Sequence, residues 1–267
     1  MSHDLNRRKF FSTSVAAAAA TAAWTQAESS GSAAKAQEYY ELRTYQLQSA
    51  AKQKAFLTYV ESALLPALNR IGLQRIGVFT SLDKADDHDV RMLIPFPNLQ
   101  VFDSLTTKLE ADADYQKAAA PHYAMTLKDP AYTRIRSQFM RAFASIPKIE
   151  LPPQTASNKP RIFELRTYES HNEDTARRKV MMFDKGETQL MRDVKLGPVF
   201  FGKMLVGHDV PNLTYLLSAA DSDAHKAHWK AFLAHPKWDE MKVKPEYKGT
   251  VSKITNWFLK PTAFSQI

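Results

Sequence analysis

The apolar and polar positions of this chain follow one pattern that occurs twice. Tyr40-Glu41-Leu42-Arg43-Thr44-Tyr45 alternates as a half-buried strand does. Tyr40, Leu42 and Thr44 share one side, and Glu41, Arg43 and Tyr45 the other. Residues 50–70 then place Phe56, Tyr59, Val60, Ala63, Leu64 and Ala67 at helical spacing, with Pro66 expected to kink or shorten the end. Strands over 71–79 and 90–96, a helix over 99–117 and a strand over 133–143 complete the unit. The opening strand returns 123 residues later as Phe163-Glu164-Leu165-Arg166-Thr167-Tyr168, with five of six residues identical. A helix over 174–194, strands over 196–204 and 213–219, a helix over 222–241 and a strand over 251–260 follow in the same order. An order repeated over this length indicates a duplicated domain.

Each copy reads β-α-β-β-α-β, the ferredoxin-like unit with both helices on one face of an antiparallel sheet. The bare faces, assigned to Ile76, Val78 and their neighbours, need cover. The expected solution is an α+β fold in which the two repeats pack sheet to sheet as an intramolecular dimeric α/β barrel. The opening strand of such a unit lies centrally in its sheet. On this reading Glu41, Arg43, Glu164 and Arg166 stand in the shared interior. Gly77 and Gly202, at matching positions, predict a bulge or a close backbone approach.

The amino terminus breaks the pattern. Asn6-Arg7-Arg8-Lys9-Phe10-Phe11, the alanine-rich run from Val15 to Ala23 and the small residues around Ala27 read as a twin-arginine signal peptide over 1–27. A periplasmic or other extracytoplasmic address in a bacterium follows. The apolar run is shorter than the roughly 20 residues of a membrane-spanning helix, so no integral membrane segment is expected after cleavage. A linker over 28–37, a first domain over 38–146, a Pro-rich linker over 147–160 with little that could pack, and a second domain over 161–262 complete the division.

Composition narrows the chemistry. With no cysteine in 267 residues, disulfides, thiol catalysis and cysteine metal sites are excluded. The net charge of +8 is mild and scattered, and three of its cations sit in the leader, so nucleic acid is not an expected partner.

The duplicated E-L-R-T-Y opening resembles the NIPSNAP family. So do Trp229 and Phe232 in the last helix, and the ending His235-Pro236-Lys237-Trp238. The resemblance covers nearly all of the chain beyond the leader and is stronger in the second copy. In the first, Thr106 stands where Trp229 does and Tyr115 where Trp238 does. It implies the dimeric α/β barrel and leaves the activity open. Barrels of this type resemble cofactor-light monooxygenases and haem-handling proteins that work through one Arg, His or Tyr in the cavity.

The candidate ligand-binding residues are Glu41, Arg43 and Tyr45, their counterparts Glu164, Arg166 and Tyr168, and the loop histidines His122 and His208. Arg43 or Arg166 could anchor a ligand anion with help from the neighbouring phenol. Alternatively, each arginine simply neutralises its own glutamate. His122 and His208 could overhang a barrel mouth as general acids or bases. His225, His228 and His235 share a helix flank but span too far for one ion, so no metal site is expected and they read as partly exposed. The leading expectation is a small-molecule binding or accessory protein, its ligand in the barrel cavity between sheet and helices. A cofactor-light enzyme and a structural module with a filled barrel are the alternatives. No resident cofactor is expected, and a small-molecule ligand and a second copy of the chain are the expected partners.

Overall fold

The computed structural model describes residues 36–267. The expected signal peptide and most of the linker after it lie outside the described residues. Among those described, no helix is long and apolar enough to cross a membrane.

The strands are β1 (Tyr39–Gln46), β2 (Gly77–Ser81), β3 (Val90–Phe96), β4 (Arg134–Ala142), β5 (Ile162–Glu169), β6 (Pro198–Val206), β7 (Asn212–Ala219) and β8 (Lys253–Pro261). They close into one antiparallel barrel in the order β1-β3-β2-β8-β5-β7-β6-β4. Within each repeat this is the ferredoxin-like arrangement, with the E-L-R-T-Y strand central. β1 lies between β3 and β4, and β5 between β7 and β8. The repeats join where β2 meets β8 and where β4 meets β6. Closure leaves no free sheet edge among these strands. At the matched glycines the backbone is approached closely. A Cβ on Gly77 would run into the Phe79 ring, and one on Gly202 would fall 2.8 Å from the Met140 Cβ.

The helices cover the outside. α1 consists of Ala50–Tyr59, a π-helical turn Val60–Leu64 and Leu65–Arg70, and Pro66 sits harmlessly in the first turn of the last piece. α2 is not one helix over 99–117 but three, Leu99–Asp103, Leu105–Ala111 and Ala113–Tyr123. Asp112 ends the second piece and caps the third, its carboxylate accepting from Tyr115 N at 2.9 Å. α3 repeats α1, with Glu173–Met182, a π turn Phe183–Glu187 and Thr188–Asp193. α4 (Ser222–Leu233) and α5 (Pro236–Lys242) replace a single helix over 222–241, because Pro236 opens a new helix capped by His235.

The two faces of the central strands are the reverse of those expected. Tyr40, Leu42, Phe163 and Leu165 point into the barrel and pack with Phe79, Phe200 and Leu216 from both repeats. Glu41, Arg43 and Tyr45 point outward beneath the helices, as do Glu164, Arg166 and Tyr168, and Ile76 and Val78 join the helix-side core. Alternation defines two faces without saying which is enclosed. The physical reason for the outcome is the supply of partners: a closed apolar interior offers none for an ion pair, whereas the helices can bring donors over the outer face.

The segment between the repeats is not bare either. Ile146 and Ile149 are buried, and Ile149 N donates to Glu38 Oε2 at 2.9 Å. The last residues strap β2: Ser265 and Gln266 accept from Val78 N and Ile76 N, and Ile267 enters the barrel core.

Candidate functional site

On the outer face of β5, Glu164 is bonded at both carboxylate oxygens. The helical spacing of α4 puts His225 and Trp229 four residues apart on the side facing the sheet. His225 Nε2 lies 2.8 Å and Trp229 Nε1 2.9 Å from Glu164 Oε2. Asn256 Nδ2 on β8 donates to Oε1 at 3.0 Å, and Arg166 Nη1 donates to the same oxygen. Trp229 Nε1 also lies 3.1 Å from His225 Nε2. That nitrogen cannot accept from Trp229 while donating to Glu164. The carboxylate is the stronger acceptor, so we assign both N–H groups to Glu164. Burial alone would raise the Glu164 carboxyl. The His225 hydrogen bond, the Arg166 charge and the Asn256 and Trp229 donors outweigh it and hold the group down at about 2. Glu164 is therefore a fixed anion and not a proton carrier near neutrality.

Arg166 is not consumed by this arrangement. Its guanidinium carbon lies 4.8 Å from the Trp229 ring centroid and 5.4 Å from that of Tyr168. Its Nε is buried with no hydrogen-bond partner among the described residues. Beside it, Lys179 on α3 is 2.7 Å from Glu187 Oε2. Residues eight apart on an α-helix diverge by about 80°, and the wider π turn between these two reduces that angle. Lys179 also sits 4.6 Å from the Phe183 ring and 5.8 Å from that of Trp238. Burial pushes the Glu187 carboxyl upward, and Lys179 opposes the shift. Tyr215 on β7 donates to the Tyr168 hydroxyl at 2.7 Å, and burial pushes the Tyr215 phenol well up.

These groups line a cleft of about 970 Å³ between β5, β8 and the helices. Its walls are Trp229, Phe232, Trp238, Ile254 and Phe258, and Lys226 and Lys230 stand at its margin. Four cationic side chains face it against two carboxylates, so the cleft favours an anion with an apolar body.

The first repeat has the same framework without the site. Glu41 takes Arg43 Nε at 2.7 Å and Ser137 Oγ at 2.7 Å, both on Oε1, while Oε2 is buried without a partner among the described residues. Ser137 stands where Asn256 does, opposite the arginine in register. Phe102 and Thr106 replace His225 and Trp229, and Phe56 and Leu64 replace Lys179 and Glu187. Phe102 packs on Phe139 at 4.2 Å between ring centroids, and Tyr45 on Phe56 at 4.3 Å.

The two other candidate histidines belong elsewhere. His122 is not in a loop. It lies in the last turn of α2, stacked 3.8 Å from the Tyr59 ring at 6° between planes, and burial lowers its pKa. Its ordinary helical place follows from the Asp112 cap, which carries α2 past residue 117. His208 does stand at a barrel mouth, 3.2 Å from Asp209. His225 is buried, not partly exposed. Its role was hidden because its partner is a strand carboxylate, not a metal. Lys179, Glu187, Tyr215 and Asn256 were not picked out from the sequence. For Lys179, Glu187 and Tyr215 the signal is an apolar-to-polar exchange between aligned repeats, at Phe56, Leu64 and Met92; Asn256 replaces the polar Ser137 and carries no such signal.

The NIPSNAP family model matches residues 40–145 and again 163–266. Among solved structures, a proposed monooxygenase from Lactobacillus acidophilus is similar over 84% of this chain and 94% of its own, at 12% identity and a TM-score of 0.57. A second proposed monooxygenase, from Fusobacterium nucleatum, is similar over 85% and 93%, at 8% identity and a TM-score of 0.55. At these identities the likeness is one of fold. A NIPSNAP-like domain protein from Burkholderia xenovorans matches 39% of this chain and 88% of its own, at 22% identity and a TM-score of 0.36. A search of curated proteins returned no match. With both repeats matched, over more than half of its length, the chain belongs to the NIPSNAP family as two tandem domains.

Proposed function

We propose that this protein binds a small organic anion with an aromatic or other apolar body in the helix-side cleft of its second repeat. The observation that carries this reading is the saturation of Glu164 by four donors, which leaves Arg166 lining the cleft with Nε unpartnered. A ligand carboxylate or phenolate would complete that guanidinium, and its rings or chain would lie on Trp229, Trp238 and Phe258. The first repeat supplies the scaffold on which the second is built. The leader read over 1–27 would place this binding outside the cytoplasm, which N-terminal sequencing of the exported protein would check. Mass spectrometry of molecules co-purifying with the native protein tests the ligand class. An acidic aromatic or aliphatic compound, lost from Arg166→Met, supports it. A neutral or cationic ligand would count against it.

A second reading, an enzyme in the same cleft, is favoured by the His225–Glu164 pair. With its Nε2–H donated to the Glu164 carboxylate, His225 has Nδ1 left as the nitrogen that could accept a proton from a bound acid. Likeness of fold to proposed monooxygenases is compatible with that role. Conversion of the retained ligand that stops in His225→Ala, with binding preserved, would establish it. Unchanged conversion in that variant would exclude His225 as the base.

A further inference from the structure

The barrel has a second cavity, separate from the helix-side cleft, at the end of its interior where the packing turns polar. It measures about 320 Å³, and its floor is Leu42, Leu165 and Trp257. One level above that floor the two repeats should match. Thr44 on β1 pairs in register with Arg91 on β3 and Arg136 on β4. Thr167 on β5 pairs with Thr214 on β7 and Thr255 on β8. Paired residues in a sheet share a face, so six side chains form one ring of the barrel lining. The first repeat contributes two guanidinium groups and the Thr44 hydroxyl to it, and the second contributes three hydroxyls, of which those of Thr167 and Thr214 lie 2.9 Å apart.

This ring is only partly satisfied from within. Arg91 is 6% exposed, and its Nη2 is fixed by Asp87 Oδ2 at 3.2 Å. Its Nη1 is buried with no partner among the described residues. Its guanidinium carbon lies 5.8 Å from the Trp257 ring centroid. On the opposite side Asn212, 3% exposed, donates through Nδ2 to the carbonyls of His208 and Asp209. Its Oδ1 is buried and unpartnered as well. The cavity thus presents the unpartnered, fixed Nη1 of Arg91 on one wall and hydroxyls with the unpartnered Oδ1 of Asn212 on the other, while the exposed Arg136, Lys253 and the carboxylates Asp89, Glu169 and Asp209 complete its lining. Leaving such groups unmatched costs stability, and a ligand with complementary groups recovers it.

We propose that the polar end of the barrel binds a small hydroxylated carboxylate, of the hydroxy-acid or sugar-acid class. Its carboxylate meets Arg91 and Arg136, and its hydroxyls meet Thr44, Thr167, Thr255 and Asn212 Oδ1. Both repeats are needed, because the two guanidinium groups come from the first and, Thr44 apart, the hydroxyls and the Asn212 acceptor come from the second. The site shares no ligand group with the helix-side cleft.

Calorimetric titration of the full-length protein with gluconate tests this, with glucose as the uncharged control and hexanoate as the control without hydroxyls. Gluconate is expected to bind with a Kd below millimolar, and each control at least about tenfold more weakly. Arg91→Lys keeps the charge but loses the fork, and should weaken gluconate binding by about tenfold. Thr255→Val leaves the Asp87 contact intact and should weaken it several-fold with unchanged thermal unfolding. Arg166→Met, in the other cleft, should leave it unaltered. Absence of gluconate heat at about 10 mM, equal binding of hexanoate, or retention in both Arg91→Lys and Thr255→Val would overturn the proposal. Loss in Arg166→Met alone would assign the ligand to the helix-side cleft and overturn it equally.

Discussion

Glu164 and His225 lie 61 residues apart in sequence and 2.8 Å apart in the fold, Oε2 to Nε2, both almost fully buried. Around this contact the second repeat differs from the first, which has Phe102 and Thr106 in place of His225 and Trp229. The carboxylate that carries it is shared by both copies, and the imidazole is not.

Removing the charge at Glu164 should be costly. With its carboxyl held at about 2 instead of the ordinary 4.5, the ionised form contributes on the order of 3 kcal/mol at neutral pH. Chemical denaturation of Glu164→Gln should register a loss of that order. A loss under about 1 kcal/mol would mean that the four donors do not hold the anion as described.

The same group fixes a pH dependence. Its folded-state pKa is depressed, so its contribution is fully present above 4.5 and lost as the pH falls towards 2. The difference in unfolding free energy between the native chain and Glu164→Gln should be flat from neutrality down to about pH 5 and shrink below it. A difference that instead disappears between pH 6 and 8 would point to histidine titration as the source.

The buried Lys179–Glu187 pair should behave asymmetrically. Lys179→Met leaves a carboxylate buried without its cation and should cost about 3–5 kcal/mol. Lys179→Phe with Glu187→Leu installs the residues that the first repeat carries at Phe56 and Leu64. That double variant should recover most of the loss, as measured by urea unfolding. Equal stability of the single and double variants would contradict the pairing.

The two arginines should separate stability from binding. Without Arg166, Glu164 keeps three donors; without Arg43, Glu41 keeps only Ser137 and already has one unpartnered oxygen. Arg43→Ala should therefore be less stable than Arg166→Ala by about 1–2 kcal/mol. The reverse order in melting temperature would show the second repeat's arginine to be mainly structural.

The doubled E-L-R-T-Y strand made the fold legible, because two ferredoxin-like orders in one chain leave few ways to cover two sheets. Helix ends were less legible: Asp112 and Pro236 each split a helix through capping and a missing N–H, effects that apolar spacing does not register. Glu164, Arg166 and Tyr168 were recognisable as a group, yet their face was not, since alternation is unchanged when a strand is turned over. His225 reads as a partly exposed histidine and Trp229 as a core aromatic because their partner lies on a distant strand. Lys179 and Glu187 were obscured by the π turn, which alters the helical period that sequence spacing assumes.

The most direct test of the proposed cleft is a calorimetric titration of 2-naphthoate, with 2-naphthalenemethanol as its neutral counterpart, into the native protein, Arg166→Met and Arg43→Met. Naphthoate is expected to bind the native protein and Arg43→Met alike, to bind Arg166→Met at least about tenfold more weakly, and to bind more tightly than the alcohol. Equal affinities of the acid and the alcohol, or unchanged binding in Arg166→Met, would contradict an anion held by the free donor of Arg166.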